Sequence, residues 1–225
     1  MNLNELKKSV ALAAIDYIFP GSIIGIGTGS TISYFIKALS SFKNLIGGVV
    51  SSSSLSTSFL KKYGIPVCNL NDIKSLNYYF DSADEINLNL QMIKGGGAAL
   101  TREKIIASAA KTFICIADET KLVKVLGKFP LPIEIIPMSA YYICRKLKRL
   151  GGTPKIRKNV VTDNGNIIID VYNFEIFDPV IMEKKINCFP GVVSVGLFAI
   201  RTADIALIST QSEIKVIKKK INAFL

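Results

Sequence analysis

Four short apolar runs constrain this chain more than any other feature: Ser22 to Gly25, Ile46 to Val50, Leu76 to Phe80 and Thr112 to Ala117. Each is too short for an independent helix, and unbroken runs of this kind read as strands buried on both faces. Ile65 to Cys68 is a fifth, weaker strand candidate. Between the runs the period changes. Leu3, Leu6, Val10, Ala13, Ala14 and Tyr17 recur at helical spacing over residues 3 to 18, the segment after Gly29 reads as a second helix, and Leu55, Phe59 and Leu60 share one face of a third. Strands alternating with helices predict a largely parallel, Rossmann-like α/β sheet flanked by helices, because parallel neighbours require a crossover long enough to hold one. Sites on such sheets gather at the carboxyl ends of the strands.

From Phe129 the pattern is different. Pro130, Pro132 and Pro137 flank an apolar strand, Leu131 to Ile136; a helix over Ser139 to Leu150 follows, then an extended run from Lys155 to Val161. The Asp163-Asn164-Gly165 turn leads into Ile167 to Val171, and a helix near Pro179 to Asn187 precedes a strand over Gly191 to Phe198. That order, β-α-β-β-α-β, predicts a smaller ferredoxin-like α+β domain inserted at residues 131 to 200. Residues 1 to 130 with 201 to 225 then form the catalytic α/β domain, with Asp204 to Ser209 and a final helix in IKVIKKKINAFL returning to it.

Composition removes several function classes. The chain of 225 residues contains no histidine, so neither a His-containing zinc site nor a histidine-based catalytic dyad is available. Cys68, Cys115, Cys144 and Cys188 are too dispersed for a compact metal motif, and their expected role is apolar packing in a reducing compartment. No metal is expected. The net charge of +11 suits phosphate-bearing partners, but the lysines are scattered apart from Lys215, Lys218, Lys219 and Lys220, and no nucleic-acid motif accompanies them. No apolar run reaches transmembrane length, and the first residues read as helix rather than signal peptide. A cytoplasmic protein without a nucleic-acid or membrane partner is the expectation.

The chemistry concentrates between Asp81 and Glu103. A strand-like run delivers Asp81, Asp84 and Glu85, and ten residues past Asp84 comes Lys94, followed by Gly95, Gly96, Gly97 and a helical segment carrying Glu103. Carboxylates packed this closely require solvent, donors or a substrate to satisfy them, while the glycines let backbone approach a ligand. A second loop, GIGTGST from Gly25 to Thr31, passes from strand to helix with small and hydroxyl residues, which is anion-binding chemistry. It lacks the lysine of a P-loop, so a monophosphate is the simplest ligand. Ser52 and Ser53, at a strand end, are candidates for ligand contact or helix capping, and Lys121 is a second basic candidate for a phosphate.

Taken together, GIGTGST at 25 to 31, DSADE at 81 to 85, MIKGGGAALTREK at 92 to 104, ADETKLV at 117 to 123, LGKFPLPIEIIP at 126 to 137, GGTPKIR at 151 to 157, VTDNGN at 161 to 166 and FPGVVSVGLFA at 189 to 199 resemble the type A ribose-5-phosphate isomerases over almost the whole chain. The resemblance implies interconversion of ribose 5-phosphate and ribulose 5-phosphate through an ene-diol or ene-diolate, without cofactor, in the non-oxidative pentose phosphate pathway. It implies Glu103 as the proton-transfer base, with Asp81, Asp84 and Lys94 as its catalytic companions. Thr28, Gly29, Ser30, Thr31, Ser82, Ala83, Gly95, Gly96, Gly97, Lys121 and, on the first helix, Lys7 are implied as substrate contacts. A homodimer or dimer-based tetramer is implied as well. The family pattern usually has glycine at the positions of Ser82 and Ala98. The alternative reading is a non-catalytic sugar-phosphate-sensing domain, which needs none of Glu103, Asp81, Asp84 or Lys94.

Overall fold

The computed structural model describes residues 1–219. The first part of the chain runs α1 (Leu3–Ala13), β1 (Ile23–Ile26), α2 (Ser30–Leu39), β2 (Gly48–Ser51), α3 (Ser54–Lys62) and β3 (Leu76–Asp81). It continues through β4 (Glu85–Ile86), β5 (Met92–Ile93), α4 (Leu100–Ala109), β6 (Ala110–Asp118), β7 (Leu131–Ile135), α5 (Ala140–Arg149) and β8 (Thr153–Ile156). The remaining elements are β9 (Ile167–Tyr172), α6 (Pro179–Asn187), β10 (Val192–Val195), β11 (Leu197–Phe198), β12 (Ile205–Ser209) and β13 (Ile214–Lys218).

Six strands form the main sheet in the order β13-β12-β6-β3-β1-β2. Five of them are parallel, and only β13 runs antiparallel, against β12. The strand β6 shows why its sequence reads as an unbroken apolar run. Ile114 and Ile116 face one core, with Val10, Phe35 and Phe80, while Phe113, Cys115 and Ala117 face the other, with Tyr79 and Ile106. Successive side chains of a strand point to opposite faces, so a strand covered on both sides needs apolar residues at every position.

The second sheet has the order β10-β7-β9-β8 with every neighbour antiparallel, built by the element sequence β7, α5, β8, β9, α6, β10. That is a ferredoxin-like arrangement with its own apolar core, formed around Ile133, Ile143, Leu147, Ile169 and Ile186. A small third sheet, β11-β5-β4, takes β4 and β5 from between β3 and β6 of the main sheet and β11 from between β10 and β12. The fold is thus the expected α/β sheet with a smaller α+β unit.

Several local expectations change. The pattern IKVIKKKINAFL does not continue as a helix: Ile214–Lys218 is a strand, and residues 220–225, including Lys220, lie outside the described residues. Ile214, Val216 and Ile217 are β-branched, and pairing along all of β12 supplies the backbone hydrogen bonds that helical periodicity does not anticipate. The run Gly191 to Phe198 divides at Gly196, whose N–H donates to Pro132 O and whose carbonyl accepts from Lys94 N, so β10 and β11 join different sheets. Ile65 to Cys68 contributes only a single bridge, Val49 to Val67. The first helix is α-helical to Ala13 and tightens into a 3-10 turn over Ala14–Tyr17. Among the described residues no helix is long and apolar enough to cross a membrane.

Candidate active site

The carboxyl ends of β1 and β3 meet the loops that precede α2 and α4, and a small cleft of about 110 Å³ opens there. Thr28, Gly29, Ser30, Thr31, Ser82, Ala83, Asp84, Lys94, Gly95, Gly96, Gly97, Glu103, Lys7 and Lys121 line it. Of the residues the resemblance implies, all are in its wall except Asp81, and the further candidates Ser52 and Ser53 do not line it.

Asp81 is completely buried directly beneath the cleft. Its Oδ1 accepts from Thr28 N (3.2 Å) and Ser82 N (2.7 Å), and its Oδ2 accepts from the Tyr79 hydroxyl and contacts Lys94 Nζ at 2.7 Å. Tyr79 and Asp81 are two apart on β3 and share a face, which is how the phenol reaches the carboxylate. Gly27 makes room for this arrangement, since a Cβ there would lie 1.8 Å from Asp81 Cγ. Burial and the Asp81 charge push the Tyr79 hydroxyl well above its ordinary pKa, so it stays a donor.

Lys94, 2% exposed, gives its other close contacts to Ser82 O (2.6 Å) and Glu103 Oε2 (3.1 Å). Burial opposes its charge, but the Asp81 and Glu103 carboxylates outweigh it and raise its pKa, so the side chain is a fixed ammonium. Glu103 enters from the first turn of α4 and is 3% exposed. Lys94 Nζ lies 3.1 Å from its Oε2, short of good hydrogen-bond geometry, and that oxygen has no other polar partner. Burial first, and then the Asp81 charge, push its pKa up to about 8.

The acidic run 81–85 divides among three tasks. Asp84 faces the cleft and accepts from Gly96 N at 2.8 Å; burial raises its pKa against the lowering effect of that hydrogen bond and of Lys94 and Lys121. Glu85 turns away and holds Gly127 N and Phe129 N at 2.8 and 2.5 Å, fixing the approach to β7. At the other end of the cleft, Gly29 precedes α2 with no side chain capping the helix, and Lys7 Nζ donates to Ser30 Oγ at 2.9 Å. Uncapped amides, a hydroxyl and an ammonium make an anion-binding corner.

Ser53 caps α3 through Ser56 N (3.0 Å), and Thr28 Oγ1 donates to Ser53 Oγ (2.6 Å), so these serines brace the glycine loop from behind. Ala98 adopts φ +57°, the left-handed region that glycine occupies freely, whereas Ser82 has an ordinary backbone. Tyr79 is the participant that sequence reasoning missed; the period-two spacing to Asp81 was its signal. Cys115, paired across the sheet with Asp81, is pushed up to about 12 by burial and stays a thiol. Among the described residues no group of three or more His, Cys, Asp or Glu side chains could hold a metal ion.

Comparison with known proteins identifies the family. The family model for ribose 5-phosphate isomerase A (phosphoriboisomerase A) matches residues 48–213. The ribose-5-phosphate isomerase A of Buchnera aphidicola subsp. Acyrthosiphon pisum (strain Tuc7) is 67% identical over 222 residues, which is 99% of this chain and 100% of that protein. The crystal structure of ribose 5 phosphate isomerase A from Neisseria gonorrhoeae superposes with a TM-score of 0.95 at 45% identity, covering 98% of this chain and 99% of that one. A D-ribose-5-phosphate isomerase solved in complex with phospho-erythronic acid gives a TM-score of 0.93 at 40% identity, over 97% of this chain and 100% of that one. The chain belongs to the ribose 5-phosphate isomerase A family.

Proposed function

We propose that Glu103 carries the proton between C2 and C1 of open-chain ribose 5-phosphate, in the aldose–ketose isomerisation that the family performs. The supporting observation is a buried carboxylate oxygen at the cleft wall that accepts no hydrogen bond and lies 3.1 Å from a fixed ammonium. An acceptor left bare in this way meets a proton from the substrate without first giving up a partner.

Ionised Glu103 removes the C2 proton; the released pair becomes the C1=C2 bond and the aldehyde pair moves onto O1. Lys94, held by Asp81 and Ser82 O, offers positive charge to that oxygen as it develops. Asp84, in the wall and with a raised pKa, transfers the O2 hydroxyl proton to O1. The C2=O2 bond then forms, and the C1=C2 pair takes the proton back from Glu103 at C1. Asp84 also serves opening of the furanose ring, while Asp81, enclosed by its own donors, acts through Lys94. No electron leaves the substrate, so no redox cofactor enters the scheme.

Phosphate recognition falls to the uncapped start of α2, Ser30, Thr31, Lys7 and Lys121, with Thr28, Gly29, Ser82, Ala83 and Gly95 to Gly97 shaping the pocket around the sugar. Phospho-erythronic acid, bound by one solved relative, pairs a phosphate with a carboxylate, as this corner and Lys94 together would. The sensing alternative has no support among the matched relatives, which are isomerases. The division into 1 to 130 with 201 to 225 and 131 to 200, a homodimer or dimer-based tetramer, and a cytoplasmic location complete the reading; mass in solution tests the assembly. The primary test is conversion of ribose 5-phosphate with and without chelator. Chelator-insensitive turnover is expected, and folded protein that fails to convert the sugar refutes the reading.

A further inference from the structure

Arg157 stands in the GGTPKIR segment, one residue beyond β8, and no step above uses it. Its guanidinium is split between two tasks. Nε and Nη2 donate to Asp170 Oδ2 (2.8 Å) and Oδ1 (2.5 Å) on β9, a bidentate pair whose side chains are 17% and 12% exposed. Nη1 crosses to the glycine loop between β5 and α4 and donates to Gly95 O (3.1 Å) and Gly96 O (3.0 Å).

The Gly95 carbonyl and the Gly96 N–H belong to one planar trans peptide unit and point in opposite directions. Arg157 holds the oxygen end, and the nitrogen end donates to Asp84 Oδ2 at 2.8 Å. Gly95, at φ +110°, sits where glycine has unusual rotational freedom, so this peptide is one that flips unless it is held. We propose that Arg157 is a positioning residue for the isomerisation: anchored by Asp170, it fixes and polarises the Gly95–Gly96 peptide so that its N–H stays aimed at Asp84.

The geometry favours arginine over any other cation here. A planar fork satisfies Asp170 with two nitrogens and still presents a third to the carbonyls, whereas a lysine ammonium at the end of a flexible stem does not hold both in register. A donor whose carbonyl is itself hydrogen-bonded becomes a stronger donor, by cooperative polarisation along the peptide. The other charged groups around Asp84 are Lys94, Lys121 and Asp81, with Glu85 and Lys128 lining the adjoining cleft, and all remain when Arg157 is replaced.

This inference rests on the placement of Asp84 in the reaction, and the experiment separates the two. Arg157→Gln, Arg157→Lys and the double variant Arg157→Gln/Asp170→Asn, which leaves no unpaired carboxylate behind, are compared with Asp84→Asn in the full chain. Steady-state kinetics are joined to a carboxyl-carbon NMR titration of Asp84, assigned from the resonance missing in Asp84→Asn. The expected result is a fall in kcat of about tenfold for all three Arg157 variants, with KM held within about threefold, and an Asp84 titration displaced to higher pH. Lysine is expected not to rescue either readout. Folded Arg157 variants with normal kcat and an unmoved Asp84 titration, beside an inactive Asp84→Asn, overturn the inference and leave the site intact. Full rescue by Arg157→Lys also overturns it, because charge alone then suffices. An active Asp84→Asn removes the reading of Asp84 and this inference with it.

Discussion

Two carboxylates, Asp81 and Glu103, surround one ammonium, Lys94, and all three are at most 3% exposed. Asp81 has three further donors and Glu103 Oε2 has none, so the proton that balances the cluster resides on Glu103 in the resting protein. The base must lose that proton before it can act. With a pKa of about 8, the ionised fraction is roughly one tenth at pH 7 and nine tenths at pH 9, so kcat/KM should rise roughly ninefold across that interval. The phosphate of the substrate ionises near pH 6 and contributes little above 7. Stability should move the opposite way. The folded state keeps a proton that the unfolded chain releases near its ordinary value of 4.5, so the contribution is present below 4.5 and is lost as pH rises through about 8. At about 1.4 kcal/mol per pH unit, that interval sets a ceiling of roughly 5 kcal/mol. Glu103→Gln abolishes the dependence, and at pH 9 it should melt several degrees above the parent while turning over far more slowly. The assay is a pair of profiles, kcat/KM by initial rates and Tm by circular dichroism, each from pH 6.5 to 9.5. A flat kcat/KM profile, or equal melting of parent and variant across the range, refutes the charge count.

Gly27→Ala places a methyl 1.8 Å from Asp81 Cγ, so the carboxylate must shift and release Lys94; thermal melts should show a loss of about 3 kcal/mol and turnover should collapse. Ala98→Gly relieves a left-handed alanine at φ +57° and should stabilise the fold by up to about 1 kcal/mol, read as a higher Tm with kcat changed less than about threefold. Lys121→Ala removes an ammonium from the cleft wall and should raise KM about tenfold with a smaller effect on kcat; unchanged kinetics reject its contact with substrate.

The alternation of buried runs with helical periods carried the main sheet, because a strand enclosed on both sides has to be apolar throughout, as Phe113 to Ala117 are. The ferredoxin-like order was legible from Leu131 to Val195, although its second strand lies at Thr153–Ile156 and not over Lys155 to Val161. What sequence could not resolve was competition between local and distant partners. Ile214 to Lys218 has helical spacing, yet a free strand edge at β12 claims its backbone. At the site, the acidic run made Asp81, Asp84 and Glu85 look equivalent, but strand alternation and distant N–H groups send one beneath the cleft, one into it and one away. The contacts of Arg157 with Gly95 and Gly96 were invisible because they span more than sixty residues.

Ribose 5-phosphate deuterated at C2 reveals whether one carboxylate, Glu103, moves hydrogen between the adjacent carbons. Single turnovers are followed by the rate of ketose formation and by the deuterium found at C1. A primary isotope effect, partial retention of the label at C1 in the parent protein, and a loss of at least about a hundredfold in Glu103→Gln are expected if Glu103 is the single base. Glu103→Gln that forms ribulose 5-phosphate at a near-parental rate with the same label at C1 contradicts that role.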